Sequence, residues 1–360
     1  MKRFQSENKT PLSAIVAPIL DWYDANARIL PWRENRDPYR VWVSEIMLQQ
    51  TRVETVRPYF ERFMKALPTI QDLAAASDET LLKLWEGLGY YARVRNLQKA
   101  AQAICDQLNG IFPQQYEEIL SLPGIGEYTA GAISSISFEK PVAAVDGNVL
   151  RVITRITENY HDIGDAAFKR HIKSVLEAAY PISRCGDFTQ SLMELGAVVC
   201  KPNGFPECER CPVNFLCMAY QHQTQAELPV KSAKKPRKIL QKTVFLLRSG
   251  EQIAIRKRED GGLLGGLWEF PNTQGLLSEE EARRWLEKQG LDVGSLTKSE
   301  RKKHIFTHVE WHMESYAAEC AQPLPPFTWV TGTQLEKQIA LPTAFKKFEK
   351  VLKDKEAFCK

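Results

Sequence analysis

The chain has 360 residues, 44% of them hydrophobic and 26% charged, with eight cysteines and a formal net charge of +4. That is the composition of an ordinary globular protein of two or three domains. No stretch approaches the roughly 20 apolar residues of a membrane span. The opening MKRFQSENKT is too polar for a secretion signal, and the small positive charge favours a nucleic-acid partner only weakly.

The first 220 residues read as mostly helical. Ile15, Ile19, Leu20 and Tyr23 recur at helical spacing, as do Leu81, Leu84, Trp85 and Leu88, with the chain turning at Gly87 and Gly89. Pro or Gly marks the turns, as at Asp37-Pro38, Leu67-Pro68 and Phe112-Pro113. Between the first two of these, the run from Trp42 to Val56 carries Glu45 inside a strongly apolar helix. A glutamate there is costly unless it is paired or used. It is either a buried structural acid or a general acid whose pKa desolvation has raised. Gln49 and Gln50 follow as polar amides that, by themselves, suit the surface.

Leu122-Pro123-Gly124-Ile125-Gly126 reads as a hairpin turn before a helix from Thr129 to Ile136. Gly124 and Gly126 permit a tight turn, and the amides opening the next helix can face a DNA phosphate. An ordinary helix–helix turn is the plainer reading. In Ala143-Ala144-Val145-Asp146-Gly147-Asn148-Val149-Leu150-Arg151 a carboxylate follows a small apolar run and opens a helix. Asp146 is either the N-cap or a fixed carboxylate able to stabilise a developing cation, with Asn148 orienting a ligand.

Cys200, Cys208, Cys211 and Cys217 follow at spacing C-x7-C-x2-C-x5-C, in an irregular loop with Pro202, Gly204, Pro206 and Pro212. Four thiolates in 18 residues, with Cys105, Cys185, Cys320 and Cys359 scattered elsewhere, suit a metal centre in a reducing cytosol better than disulfides. A single C-x2-C suits iron–sulfur better than zinc, which commonly shows two paired knuckles. Residues 226–241 read as a basic linker: five of the eight from Lys231 to Lys238 are Lys or Arg. It is either a solvated tether or a phosphate contact. Beyond it, strands at Thr243–Leu247, Gln252–Arg256 and His312–Glu319 and a helix at Glu279–Gln289 indicate an α+β domain.

Taken in order, LPGIGxxTA, AVDGNVxR and the four-cysteine loop resemble the helix-hairpin-helix DNA glycosylases that carry a [4Fe-4S] cluster. SEIMLQQT and EGLGYYARVRNL narrow the resemblance to the MutY-type adenine DNA glycosylases. The resemblance covers nearly the whole chain. It implies a multidomain protein: an all-α helix-hairpin-helix glycosylase domain with an iron–sulfur loop (1–225), the linker (226–241), and an α+β Nudix-like domain for 8-oxoguanine recognition (242–360). Within the first, a six-helix barrel module would span about 30–140 and an iron–sulfur module about 1–29 and 141–225. Lyase relatives carry a lysine where this chain has Tyr128, so the resemblance implies a monofunctional hydrolase rather than an endonuclease III-like glycosylase/lyase for oxidised pyrimidines.

The same resemblance implies the site. Protonated Glu45 would donate to adenine N7, and Asp146 would stabilise the oxocarbenium-like sugar. Tyr128 and Asn148 would orient Asp146 and the sugar, and Arg33 and Gln190 would lie near the adenine. Gln50 and Tyr90 would wedge into the stack at the lesion, with Gln49 and Leu88 as further substrate contacts. Gly124 and Gly126 would bind the DNA backbone, the four cysteines would hold the cluster, and Lys201 and Arg210 would reach phosphates. The first cysteine gap is one residue longer than the family's six. Phe306-Thr307-His308 matches the family's Phe-Ser-His loop for 8-oxoguanine, with Thr307 replacing the serine. Arg283–Gly290 keeps one of the three glutamates of a Nudix magnesium helix, Glu287, so that domain would recognise rather than hydrolyse. Expected partners are duplexes with adenine opposite 8-oxoguanine or guanine. A monomer in the bacterial cytosol, with no membrane association, completes the expectation.

Overall fold

The computed structural model describes residues 11–202, 205–233, 236–353 and 358. The opening MKRFQSENKT, Gly204 of the cysteine loop, Lys234 and Lys235 of the basic stretch, and Cys359 lie outside the described residues. In chain order the helices are α1 (Val16–Asn26), α2 (Pro38–Leu48), α3 (Val53–Ala66), α4 (Ile70–Ala75), α5 (Asp78–Trp85), α6 (Ala92–Leu108), α7 (Tyr116–Ser121), α8 (Glu127–Phe138), α9 (Gly147–Ile156), α10 (Ala166–Glu177), α11 (Cys185–Val198) and α12 (Met218–Gln221). The chain then forms β1 (Lys238–Ser249), β2 (Gln252–Lys257), β3 (Trp268–Glu269), β4 (Asn272–Gln274), α13 (Glu279–Lys288), β5 (Thr297–Ile305), β6 (Val309–Glu319), β7 (Thr328–Thr331) and the short helices α14 (Gly332–Lys337), α15 (Thr343–Lys346) and α16 (Glu349–Lys353). No helix among the described residues is long and apolar enough to cross a membrane.

Two compact units result. The first comprises residues up to Ala75 together with Asn96–Ala233; the second comprises Ala76–Arg95 and Lys234 onward. In the first unit the central helix is α8, whose residues Thr129–Ile136 are all buried. It packs against α2 and α11, and α11 packs in turn on α9. Caps fix where these helices start. The Asp37 side chain accepts from Arg40 N at 2.9 Å with Pro38 in the first turn of α2, and Asp146 accepts from Val149 N at 2.7 Å to open α9. The run expected to continue from Trp42 to Val56 is broken between α2 and α3, where Gln50 adopts a left-handed φ of 60°. Apolar periodicity resumes in phase after the break, so the pattern alone hides it.

The second unit is built on a seven-stranded sheet of order β3-β2-β1-β6-β5, with β4 added on β1 and β7 on β2. β1 and β6 run parallel from the Lys238↔Val309 pair to Arg248↔Glu319. The strand therefore begins four residues inside the stretch expected to be linker. Side chains alternate across β1: Val244 and Leu246 face a core with Phe345 and Phe348, while Phe245 and Leu247 face Ala282 and Leu286 of α13. Burial on both faces explains why β1 reads as one continuous apolar run. Helix α13 opens on a capping box between Ser278 and Glu281.

Candidate active site

Five segments of the first unit converge on a cavity of about 400 Å³ lined by Arg33, Glu45, Tyr128, Asp146, Asn148, Gln190 and Glu194, among others. Glu45 comes from α2, Tyr128 from the start of α8, Asp146 and Asn148 from the start of α9, and Gln190 and Glu194 from α11. The positioning is steric as well as polar. A side-chain carbon on Gly196 of α11 would stand 2.7 Å from Asn148 Cβ, so glycine lets α11 close against the end that carries Asn148.

Glu45 is 5% exposed and accepts a hydrogen bond from the Tyr128 hydroxyl at 2.5 Å. Burial pushes its pKa up to about 7; the Tyr128 bond opposes this, the Asp146 charge adds to it, and Arg33 opposes it weakly. Burial also lifts the Tyr128 phenol well above its ordinary value, so the hydroxyl stays a donor. The resemblance has Tyr128 orient Asp146 and the sugar; here its hydroxyl is hydrogen-bonded to Glu45. Asp146 does two things at once. One oxygen caps α9, and the other accepts from Asn148 Nδ2 at 2.9 Å. Burial raises its pKa, against the lowering effect of the Val149 amide and Asn148. Glu45, with its raised pKa favouring the protonated form, and the hydrogen-bonded Asp146 thus line one cavity, a pairing suited to protonating a leaving group and stabilising a cation.

Asn148 is itself held. Its Oδ1 accepts from Arg151 Nη2 at 2.9 Å; the same nitrogen donates to Gly196 O at 2.7 Å, and Arg151 Nε donates to Cys200 O at 2.7 Å. The cysteine loop therefore reaches Asp146 through Arg151 and Asn148. A second feature escaped the sequence reading. Glu194, 1% exposed, takes Arg28 Nε at 2.5 Å and Arg33 Nη2 at 2.9 Å. Although burial acts to raise its pKa, the two guanidiniums hold it below the usual carboxylate value. Arg33 thereby faces the cavity with its charge already partnered. The available signal was the i, i+4 spacing that puts Glu194 on the same face of α11 as Gln190.

Gln49 is half-buried, with Nε2 at 3.5 Å from Thr129 Oγ1, rather than a surface amide. Gly124 and Gly126 are exposed at the hairpin, and Gly126 caps α8. Cys200, Cys208, Cys211 and Cys217 line a single pocket with Arg155, whose Nη1 lies 3.2 Å from Cys200 Sγ. All four are free thiols. Among the described residues no group of three His, Cys, Asp or Glu is arranged around one metal ion. Four cysteines around one shared pocket are a soft donor set of the kind that holds an iron–sulfur cluster. Lys201 and Arg210 both pair with Glu207 and remain substantially exposed.

In the second unit Leu88 is buried, whereas Tyr90 is exposed with a left-handed φ of 49°. The Tyr90 hydroxyl shares a hydrogen bond with Thr307 Oγ1. Phe306, Thr307 and His308 form the bend between β5 and β6, with Thr307 and His308 exposed and Phe306 edge-on to Trp311 at 4.8 Å. They tip a hairpin rather than merely ending a strand. Helix α13 directs Arg283 to the Val293 and Gly294 carbonyls and pairs Arg284 with Glu280.

The comparisons agree with this geometry. Residues 43–178 match the HhH-GPD superfamily of base excision DNA repair proteins, and residues 243–350 match the NUDIX domain. A solved thermostable thymine-DNA glycosylase superposes with a TM-score of 0.53 at 29% identity, covering 58% of this chain and 96% of its own. Helical fold, hairpin and carboxylate-lined cavity together define a base-excision DNA glycosylase. The adenine DNA glycosylase of Mus musculus is 34% identical over 95% of this chain and 78% of its own length. That of Buchnera aphidicola subsp. Baizongia pistaciae (strain Bp) is 35% identical over 81% and 82%. The chain belongs to the adenine DNA glycosylase family.

Proposed function

We propose that this protein removes adenine mispaired with 8-oxoguanine or guanine from duplex DNA, by hydrolysis and without a lyase step. The reading rests on one observation: Glu45, with its pKa pushed up to about 7, shares a cavity with Asp146. The adenine leaves the stack for this cavity at a cost of a few kcal/mol. Glu45 carries the proton to adenine N7, Tyr128 holds Glu45 in place, and the C–N bond opens towards an oxocarbenium-like sugar. Asp146, oriented by Asn148, stabilises that cation. Arg33, Gln190 and Glu194 bind around the base. Tyr128 occupies the place where a Schiff-base lysine would be needed for strand cleavage.

Cys200, Cys208, Cys211 and Cys217 would hold a [4Fe-4S] cluster, which supplies loop structure rather than a reacting group. The exposed Lys201 and Arg210 then lie beside it for phosphate contact. Gln50, Tyr90 and the Phe306–His308 bend read the strand opposite the adenine, with Thr307 supplying the hydroxyl. The protein acts as a monomer on genomic DNA in the cytosol.

The test is a panel of duplexes carrying adenine opposite 8-oxoguanine, guanine or thymine, resolved with and without alkali. Alkali-dependent breaks at adenine, fastest opposite 8-oxoguanine, are expected. Breaks without alkali, or equal rates opposite all three bases, would defeat the proposal.

A further inference from the structure

One piece of chain from the first third of the sequence belongs to the second unit: Ala76–Arg95, which carries α5 and the turn with Leu88, Gly89 and Tyr90. That turn is braced from within. Trp85, fully buried, donates from Nε1 to Gly89 O at 3.1 Å, and Arg93 Nη2 donates to Leu88 O and to Gly89 O, each at 3.2 Å. The Arg93 guanidinium also lies 5.5 Å from the Tyr90 ring centroid and 5.4 Å from that of Trp85. Braced to Trp85, the turn is fixed relative to α5, and whatever places α5 places Leu88 and Tyr90.

Glu86 has that task. By local rules it is badly sited: as the C-cap of α5 it adds a negative charge where the helix dipole is already negative. Its side chain is nevertheless 8% exposed. The compensation comes from far along the chain. Oε1 accepts from Leu341 N at 2.8 Å, across 255 residues, and faces Lys346 Nζ at 3.1 Å. Oε2 accepts from Lys83 Nζ at 2.8 Å, and the same ammonium donates to Ile339 O at 3.0 Å. One carboxylate thus ties the end of α5 to α15 and to the stretch between α14 and α15. Such a tie is sharper than a surface ion pair, because breaking it strands the amide of the buried Leu341. At the other end of the segment Arg95 Nη1 donates to Gly265 O at 2.8 Å. Between the two ties sits Tyr90, whose hydroxyl is bonded to Thr307 Oγ1.

We infer that Glu86 is a positioning residue for reading the base opposite the adenine: it sets where Leu88 and Tyr90 stand against Thr307. The inference rests on the function proposed above, in which Tyr90 and the Phe306–His308 bend read that strand. Without Glu86 the braced turn keeps its own shape but loses its placement against the bend. Preference for 8-oxoguanine over guanine then falls, while Glu45 and Asp146 keep their geometry.

The experiment uses the full-length protein and duplexes carrying adenine opposite 8-oxoguanine or guanine. Single-turnover release is followed across a range of enzyme concentrations, which separates the half-saturating concentration from the limiting rate. Glu86→Ala should raise the half-saturating concentration about tenfold on the 8-oxoguanine duplex and less than about twofold on the guanine duplex, with both limiting rates unchanged. If Glu86→Ala does not fold by circular dichroism, Glu86→Gln decides, with a selective loss of about threefold, because it keeps an acceptor for Leu341 N and loses the charge that faces the lysines. A fall in the limiting rates, equal losses on the two duplexes, or no loss at all would overturn the inference. A wild type that shows no preference between the duplexes would defeat the function proposed above, and the inference with it, before any variant is compared.

Discussion

Buried carboxylates are treated in opposite ways by the two units. In the helical unit Glu45 has a phenol for its partner, and its pKa rises to about 7. In the sheet unit Glu269 meets Arg256 and Arg258, and Glu314 meets Lys298 and Arg301. Hydrogen bonding from Lys298 leads the effects that hold Glu314 below its ordinary pKa. Glu194 shows that the helical unit can also neutralise an acid with two arginines where it does not need a proton. Burial alone therefore does not mark a catalytic acid. The mark is burial beside a neutral donor, with cations directed elsewhere.

The strongest way to break this contrast is Glu45→Gln, which removes the proton and keeps the shape. Base release in single turnover should fall by about 10³, while duplex binding by gel shift persists. Near-wild-type release would remove Glu45 from the role of acid. Its raised pKa also gives a signed stability effect. Stability linked to Glu45 is full below the ordinary value of 4.5 and is lost as pH rises through about 7. The glutamine variant should therefore melt higher than wild type at pH 8 and close to it at pH 4.5, by an amount of order 3 kcal/mol at the upper pH.

Next in size is the pH dependence of the wild type. Release should decline above pH 7 as Glu45 ionises, by about tenfold per unit and about 100-fold by pH 9. A flat alkaline limb in single-turnover rates would point to another acid. Arg151→Met probes orientation instead of protonation. It leaves both carboxylates in place but cuts the link from Cys200 O to Asn148. Release should slow by some tens of fold, and an unaltered rate would show that Asn148 is held well enough by the close approach of Gly196. Smallest is Glu314→Gln, the sheet-unit counterpart of the first change. Melting should drop by about 1–2 °C at pH 7. The difference should vanish in acid, because a lowered carboxylate pKa contributes stability above its unfolded value and loses it as pH falls. Base release should stay within about twofold, and a large loss would blur the distinction between the two units.

Much of this was legible in the chain itself. Glu45 stood out because an acid in an apolar helix has no cheap explanation, and the glycines of the hairpin and the spacing of the thiols carried their own geometry. What was hidden has physical reasons. Strand β5 reads TKSERKKHI, with half-buried and exposed positions and no apolar pattern, because among the described residues it pairs with β6 alone, at the edge of the sheet. The break between α2 and α3 was masked by apolar residues on both sides. The bond from Tyr128 to Glu45 spans 83 residues, and that of Arg28 to Glu194 spans 166, so neither leaves a local trace.

Gln50 and Tyr90 both hold the left-handed backbone form that a side chain disfavours by about 1 kcal/mol and that glycine adopts freely. A chain shaped for durability alone would place glycine or asparagine at both positions and melt a little higher. Keeping a long amide at one and a phenol at the other trades thermal margin for two projecting groups. Stabilising consensus-style replacements at these turns would therefore be easy to find and poor to keep.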